Sequence, residues 1–589
     1  MISIIQFIKE IHYLLGDNTR KLPWIIFLFL CSSVLDVAGI GLIVPYVALI
    51  VSPENFIQSD FYPIFVSLGM PLKQDELLIT LGLVLLIVFI IKTIAALLIN
   101  RIIINFCFQH SVQLRSSLMN SYQRLPYIDY LARNSSAYIH NVNLAAKFSE
   151  TIMQSILRLI SDGLVALVIL ILLATVNITA LGLLVFLLGG LILVYDRVFR
   201  PSIGKYGRLA NEYSTNMLKG INEGIEGLKE IRILGKEEYF HKMFYDNAKG
   251  LSLVNQKSTL ISTAPRYLLE LVLITFVVML VFSSIIFSQD LNTLLPTLSM
   301  FAVASMRLAP SANQVISGIA KIRFGRHGIG LLYSDLLKLE ENTTSTIASS
   351  NDNKRVFQSL ILCDVTFSYP KTNQPALKNI SLSIHAGDAI GITGTSGAGK
   401  TTLVDMLLGL LEPQKGEITV NGYTLENGPE DWRSQVAYLP QQVFLTDNTL
   451  KSNVALGLED NEINENKLKE AIRQARLSDL IQQLPEGVNT MLGERGVRLS
   501  GGQRQRVALA RAFYHDRNIL VMDESTSALD SETEHEIVEE IKHLKGKKTI
   551  IIIAHRLTTL QHCERIYRLE HGELVKQGNY DDVVGNMSK

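Results

Sequence analysis

The sequence predicts two architectures in one chain: a membrane domain of long α-helices, followed by an α/β domain built on a parallel sheet. Three observations carry this. Apolar residues make up 48% of the 589, an unusual share for a water-soluble chain of this length. Long apolar runs are confined to roughly the first 320 residues, whereas the remainder alternates short apolar strands with charged helices. In that second half, the glycine-rich stretch GTSGAGKTT (394–402) stands between a strand pattern and a helix pattern.

Charge and cysteine content narrow the function classes. Lysine plus arginine (55) equals aspartate plus glutamate (55), and the second half has no basic block, so no nucleic-acid partner is expected. Cys31, Cys107, Cys363 and Cys563 stand alone in the sequence, without metal-ligand spacing, and read as reduced structural thiols.

Six runs reach the roughly 20 residues that a helix needs to cross a hydrocarbon core. They lie near Pro23 to Val51, Leu77 to Phe106, Leu157 to Thr175, Thr179 to Phe199, Tyr267 to Phe287 and Leu291 to Ile316. The first is too long and starts too late for a cleaved signal peptide. Lys9, Arg20 and Lys21 precede the first run; Arg115, Arg124, Arg133 and Lys147 fall between the second and third; many more cations fall between Arg200 and Lys257. Cations flanking a span stay on the cytoplasmic side, so both termini are expected to be cytoplasmic. The two cation-rich segments read as helical stalks with tips near Asn134 to His140 and Gly220 to Lys229. The domain plan is a transmembrane domain over 1–335, a linker over 336–355 and an α/β domain over 356–589.

The glycine-rich stretch has chemical meaning because it follows the strand pattern DAIGIT and precedes the helix pattern LVDMLLGLL. In that setting the backbone N–H groups of Gly394, Thr395, Ser396, Gly397, Ala398 and Gly399 surround phosphates together with the first turn at Thr402. Lys400 reaches the outer phosphates and Thr401 can hold Mg²⁺. The run NILVMDE (518–524) is a buried-strand pattern ending in two carboxylates, which suits Asp523 to the metal and Glu524 to polarising the attacking water.

LSGGQ (499–503), placed before a helix that leads into that strand, completes a set that resembles the nucleotide-binding domain of ABC transporters over 356–585. The resemblance implies ATP and Mg²⁺ as ligands. It makes Tyr369 the aromatic stacked on adenine, Gln441 the glutamine that contacts metal and attacking water, and His555 the histidine at the γ-phosphate. Ser500, Gly501, Gly502 and Gln503 form the signature loop, and SALD ending at Asp530 resembles the loop that follows. LGERG (492–496) is similar to the loop by which exporters sense the stalk tips. A signature loop in this family completes a partner's phosphate site, which implies a second subunit; intact residues at every position favour an identical one.

Six spans ahead of such a domain resemble an exporter-type ABC half-transporter, and within that family the flippases of lipid-linked oligosaccharides in bacterial protein glycosylation. That likeness rests on APRYLLE (264–270), MRLAPSANQVI (306–316), GLKEIRILGKE (227–237) and YRLEHGEL (567–574). It implies a bacterial inner membrane, a pyrophosphate-linked glycan lipid as substrate, and a short external helix in the added segment 54–69, where Pro63 limits its length. Export of peptides or amphiphilic drugs is one alternative, and a non-transport role, such as a gated channel or regulatory ATPase, is another. Lys92, Arg266 and Arg307 are cations inside or beside apolar runs, where charge is costly unless it meets a partner or a wet cavity. Two readings stand. In one, the three meet a diphosphate; in the other, Arg266 pairs with Glu270 one turn away, Lys92 snorkels and Arg307 finds Asp36.

Overall fold

The computed structural model describes residues 4–51, 74–286, 291–343, 356–370, 372, 374–425, 429–524, 535, 539, 542–554 and 557–583. The expected external helix at 54–69, Asp530 and His555 lie outside these residues. The chain divides into two compact units, one of 1–125 with 133–344 and the other of 126–132 with 345–589.

The first unit is helical throughout: Ile4–Leu15, Leu22–Val51, Gln74–Gln123, Ser135–Lys147, Gln154–Val176, Ile178–Glu226, Leu228–Leu234, Glu237–Ile286 and Leu291–Thr343. Among the described residues, four helices are long and apolar enough to cross a membrane, within Asp75–Gln123, Ser135–Thr175, Ile178–Glu226 and Glu237–Ser283. The first and sixth expected runs fall on the helices Leu22–Val51 and Leu291–Thr343. At about 1.5 Å per residue, the 49 residues of Ile178–Glu226 outrun any bilayer, so apolar run and stalk form one continuous rod.

Packing between these rods follows from small and aromatic residues at the crossings. Val165, Ile169, Leu184, Phe276, Phe301 and Leu308 form one buried cluster from four helices, with the Phe276 and Phe301 rings 5.3 Å apart. Gly207 lies so close to the Phe324 carbonyl that a Cβ there would overlap it. Farther along, charge joins the rods: Arg326 Nη2 donates to Glu10 Oε1 at 2.8 Å, Arg323 pairs with Asp196, and Glu10 is nearly fully buried. Removing Arg326 would leave the buried Glu10 carboxylate an uncompensated charge.

The tips differ in detail from the sequence expectation. The first turn comes earlier, because Pro126 removes an N–H and disfavours helix at Leu125. A short helix, Tyr127–Leu131, follows, and Asn134 then caps the next helix by accepting from Ser136 N at 2.9 Å. Residues 135–140 are therefore stalk rather than tip. At the second tip, Gly227 ends one helix, and Gly235, at φ +60°, ends the short helix Leu228–Leu234. The last stalk runs on past Asp335 to Thr343, because LLKLEENT contains no helix breaker.

The second unit contains two sheets. One has the order β2-β1-β4-β5, with β1 Ser359–Phe367, β2 Leu377–His385, β4 Lys415–Val420 and β5 Tyr423–Thr424. Its strands alternate buried and exposed side chains, as antiparallel strands with one wet face do. The other has the order β10-β9-β3-β8-β7-β6, from β3 Ala389–Gly394, β6 Val436–Leu439, β7 Ile519–Asp523, β8 Thr549–Ile553, β9 Arg565–Glu570 and β10 Glu573–Gly578. Strands β3, β6, β7, β8 and β9 run parallel, and β7 is buried on both faces, which is why NILVM reads as an unbroken apolar run. Trp432 fills the core beside the helix Lys400–Leu407, its indole N–H donating to Leu407 O at 2.7 Å.

Candidate active site

Strand order decides what meets what. β8 lies between β3 and β7, so the glycine loop after β3 and the carboxylates after β7 emerge at the same carboxyl edge, one strand apart. That edge is where open parallel sheets bind ligands.

The loop from Gly394 to Gly399 leads straight into the helix Lys400–Leu407. Gly399 has φ +99°, and a Cβ there would sit 2.6 Å from the Ala376 carbonyl, so this turn demands glycine. Thr395, Ser396 and Gly397 are exposed, as is Thr401, whereas Lys400 is buried. The Lys400 ammonium donates to Gly394 O at 2.9 Å and Thr395 O at 3.1 Å. It thereby closes the loop on itself with two carbonyls that phosphate oxygens can replace. Tyr369 packs edge-on against Phe367, ring centroids 5.1 Å apart, and its hydroxyl lies 3.2 Å from Thr402 Oγ1.

At the end of β7, Asp523 is buried and accepts from the Tyr438 hydroxyl at 3.3 Å. Glu524 takes φ +48°, a left-handed conformation unfavourable for a glutamate, and its N–H donates to Ile553 O at 2.9 Å. This twist turns its carboxylate to Gln441, whose amide donates to Glu524 Oε2 at 2.7 Å. The structure thus brings Gln441 and Glu524 together. Asp523 is level with Ile553 of β8, two residues before His555.

Sequence reasoning missed Asp405. This carboxyl lies on the helix after the glycine loop, where burial and then the charge of Asp523 push its pKa from 3.8 up to about 6. The available signal was a lone carboxylate inside LVDMLLGLL. Ser500 N-caps the helix Gly501–His515 in a capping box: its hydroxyl accepts from Gln503 N at 3.2 Å, and Gln503 Oε1 accepts from Ser500 N at 2.8 Å. The signature residues Ser500, Gly501, Gly502 and Gln503 therefore present the N-terminus of a rigid helix, a favourable place for an anion.

The three cations occupy three different helices. Arg266 pairs with Glu270 at 3.5 Å and both are well exposed. Lys92 lies 4.9 Å over the Phe89 ring, and Phe89 with Tyr46, Leu86 and Ile90 lines a cavity of about 500 Å³. Arg307 is half-buried, one residue before the buried Leu308. The side chain of Asp36 lies outside the described residues.

A phosphate-cradling loop, an aspartate and a glutamate in succession one strand away from it, and a long-rod membrane unit together define an ATP-hydrolysing domain joined to a membrane domain. The ABC transporter family profile matches residues 377–527, and that for the ABC transporter transmembrane region matches 26–308. The ATP-dependent lipid A-core flippase of Dechloromonas aromatica (strain RCB) is 31% identical over 398 residues, covering 67% of both chains. That of Alkalilimnicola ehrlichii (strain ATCC BAA-1101 / DSM 17681 / MLHE-1) is 30% identical over 494 residues, 80% of this chain and 79% of the other. The structure of a bacterial Atm1-family ABC exporter with ATP bound shares the fold at a TM-score of 0.77 and 20% identity, covering 96% of this chain and 97% of the other. The chain belongs to the ABC transporter family, as an exporter-type half-transporter that couples ATP hydrolysis to transport across a membrane.

Proposed function

We propose that two copies of this chain form a flippase that moves the pyrophosphate-linked glycan head of a lipid from the inner to the outer leaflet of a bacterial inner membrane, with both termini cytoplasmic. The observation that supports a flippase is the alignment with lipid A-core flippases over 80% of the chain, which extends well beyond the nucleotide domain into the membrane half. Cations at Lys92, Arg266 and Arg307 support an anionic head; arginine's fork suits a diphosphate. The tail stays in lipid while the head crosses.

Each copy supplies half of two ATP sites. The N–H groups of Gly394, Thr395, Ser396, Gly397, Ala398 and Gly399 hold phosphates together with Lys400 and the first helical turn at Thr402, and Tyr369 stacks on adenine. Thr401, Gln441 and Asp523 fit Mg²⁺, because an exposed hydroxyl, an exposed amide and a buried carboxylate are the hard oxygen donors that such a site uses. When bound, Mg²⁺ neutralises charge on the phosphates. Glu524 polarises the attacking water, His555 contacts the γ-phosphate, and Ser500, Gly501, Gly502 and Gln503 close the partner's site. The transmembrane domain is assigned to 1–335, the linker to 336–355 and the nucleotide domain to 356–589; the described residues 336–343 continue the last stalk helix.

Proteoliposomes holding the purified chain test the substrate with four separate cargoes: a polyprenyl pyrophosphate-linked oligosaccharide, lipid A-core, an amphiphilic dye and a peptide. ATP-dependent movement of the first, lost in Arg307→Ala and Arg266→Ala but only weakened in Lys92→Ala, is the expected result. Movement of lipid A-core alone would transfer the assignment to the substrate named for the relatives. Movement of only dye or peptide would replace the flippase by an exporter. Arginine variants that transport normally, or that fail to fold, make the cations structural.

A further inference from the structure

The first unit contains a buried carboxylate that the ATP site does not use. Asp335 lies on the last stalk helix, Leu291–Thr343, and is only 6% exposed. Three side chains donate to it. The Tyr122 hydroxyl reaches Oδ2 at 2.6 Å, the Asn141 amide reaches the same oxygen at 2.8 Å, and the Arg133 guanidinium binds Oδ1. Around them, Tyr138 packs edge-on against Tyr122 with ring centroids 4.8 Å apart, and Arg133 lies 5.9 Å over the Tyr138 ring.

What makes this cluster more than a buried pair is where its members fall in the chain. The chain leaves the first unit after Leu125, contributes Pro126–Ala132 to the second, and returns at Arg133. Tyr122 stands just before the departure and Arg133 at the return. Both are held by one carboxylate, through one oxygen each, and the helix that bears it ends at Thr343, shortly before the chain enters the second unit for good at residue 345. The two covalent routes between the units are therefore tied together within the first.

We propose that Asp335 is a positioning residue for the transport cycle: it pins both ends of the Pro126–Ala132 excursion to the last stalk, so that displacement arriving by either route moves one rigid piece. A carboxylate suits this role because its two oxygens accept from different directions at once, and a buried charge held by three donors has no comparable alternative arrangement nearby. Loss of the charge leaves Arg133 without its counter-ion and gives the two routes independent play.

The test uses the full chain in lipid nanodiscs, with Cys31 and Cys363 changed to serine and spin labels at Ser135→Cys and Ser334→Cys, exposed positions flanking the cluster. Distances between them are measured without nucleotide and after trapping with ATP and vanadate. The expected result is one narrow distribution, the same in both states, which broadens or shifts between states in Asp335→Asn while ATP turnover persists. A purely stabilising role would lower the melting temperature and leave the distribution of the folded protein narrow, which overturns the proposal. So would a distance that already differs between states in the chain with Asp335 intact. Should Asp335→Asn fail to fold, the milder pair Tyr122→Phe and Arg133→Gln carries the same test: each alone broadens the distribution less than the two combined, and no broadening in the combined variant refutes the proposal.

Discussion

Replacing Glu524 with glutamine changes one property of the site at a time. The amide is isosteric and keeps an acceptor oxygen for the Gln441 amide, which stands 2.7 Å from Glu524 Oε2. The backbone bond to Ile553 O and the left-handed φ involve no side-chain charge, and glutamine fits them as glutamate does. Lys400, Thr401 and Asp523 are untouched. What disappears is a base for the attacking water. A positioned general base contributes about 10² to 10⁴ in rate, or about 3–5 kcal/mol of barrier. Hydrolysis in Glu524→Gln should therefore fall by about that factor, while ATP affinity holds, since removing a negative charge beside phosphates does not weaken their binding. Phosphate release by the purified full chain, paired with equilibrium binding of a fluorescent ATP analogue, separates the two. Hydrolysis reduced less than about tenfold refutes the role of base; binding lost in step with hydrolysis refutes the division of labour among these residues.

Gly399→Ala should abolish most ATP binding, because a Cβ would meet the Ala376 carbonyl at 2.6 Å in a backbone already at φ +99°, a strain of about 1–3 kcal/mol; an ATP-induced rise in melting temperature equal to that of the unaltered chain would contradict it. Asp405 predicts a pH effect: burial and then Asp523 push its folded pKa up from the ordinary 3.8 to about 6, so the folded state holds the proton more tightly. Its stabilising contribution is complete below about pH 4 and is lost as pH rises towards 6, about 1–3 kcal/mol after allowance for partial exposure. Asp405→Asn should remove that slope in thermal melts followed by the buried Trp432, and an unchanged slope assigns it to another group. Glu223→Gln breaks the pair with Lys219, 3.7 Å apart beside the second tip; with Glu226→Gln it should reduce lipid transport by about tenfold while sparing hydrolysis, whereas equal losses of both place the transmitting contact elsewhere.

The nucleotide site was legible because its chemistry is local. A glycine that must turn at φ +99°, a lysine one residue later and a fully apolar strand ending in Asp523 and Glu524 each impose their own residue type over a short stretch. Apolar runs were legible for the same reason, since hydropathy alone specifies them; among the described residues, four of the six expected runs fall on helices long and apolar enough to cross a membrane. What escaped was pairing across long sequence separations. Asp335 with Tyr122 and Arg133, and Asp405 with Asp523, join residues that no periodicity links. The first turn comes before the expected tip at Asn134 to His140, because Pro126 already breaks the helix and Asn134 serves instead to start one. Arg266 illustrates the limit of a charge pattern: the same residue that suits a diphosphate also finds Glu270 one turn along.

The excursion of Pro126–Ala132 has a practical consequence for dissecting the gene. Tyr127 and Ile128 pack against the hydrophobic core that also contains Trp432 and Tyr567, and burial raises the pKa of the Tyr127 phenol. A recombinant fragment that begins after the stalk would thus be missing a tile from its own surface, and would offer an oily depression to solvent and to other copies. Such a fragment should clump unless the lost heptapeptide is supplied in trans or the depression is repainted with polar residues. Pro126–Ala132 packs as part of the second unit, although the chain enters that unit for good only at residue 345.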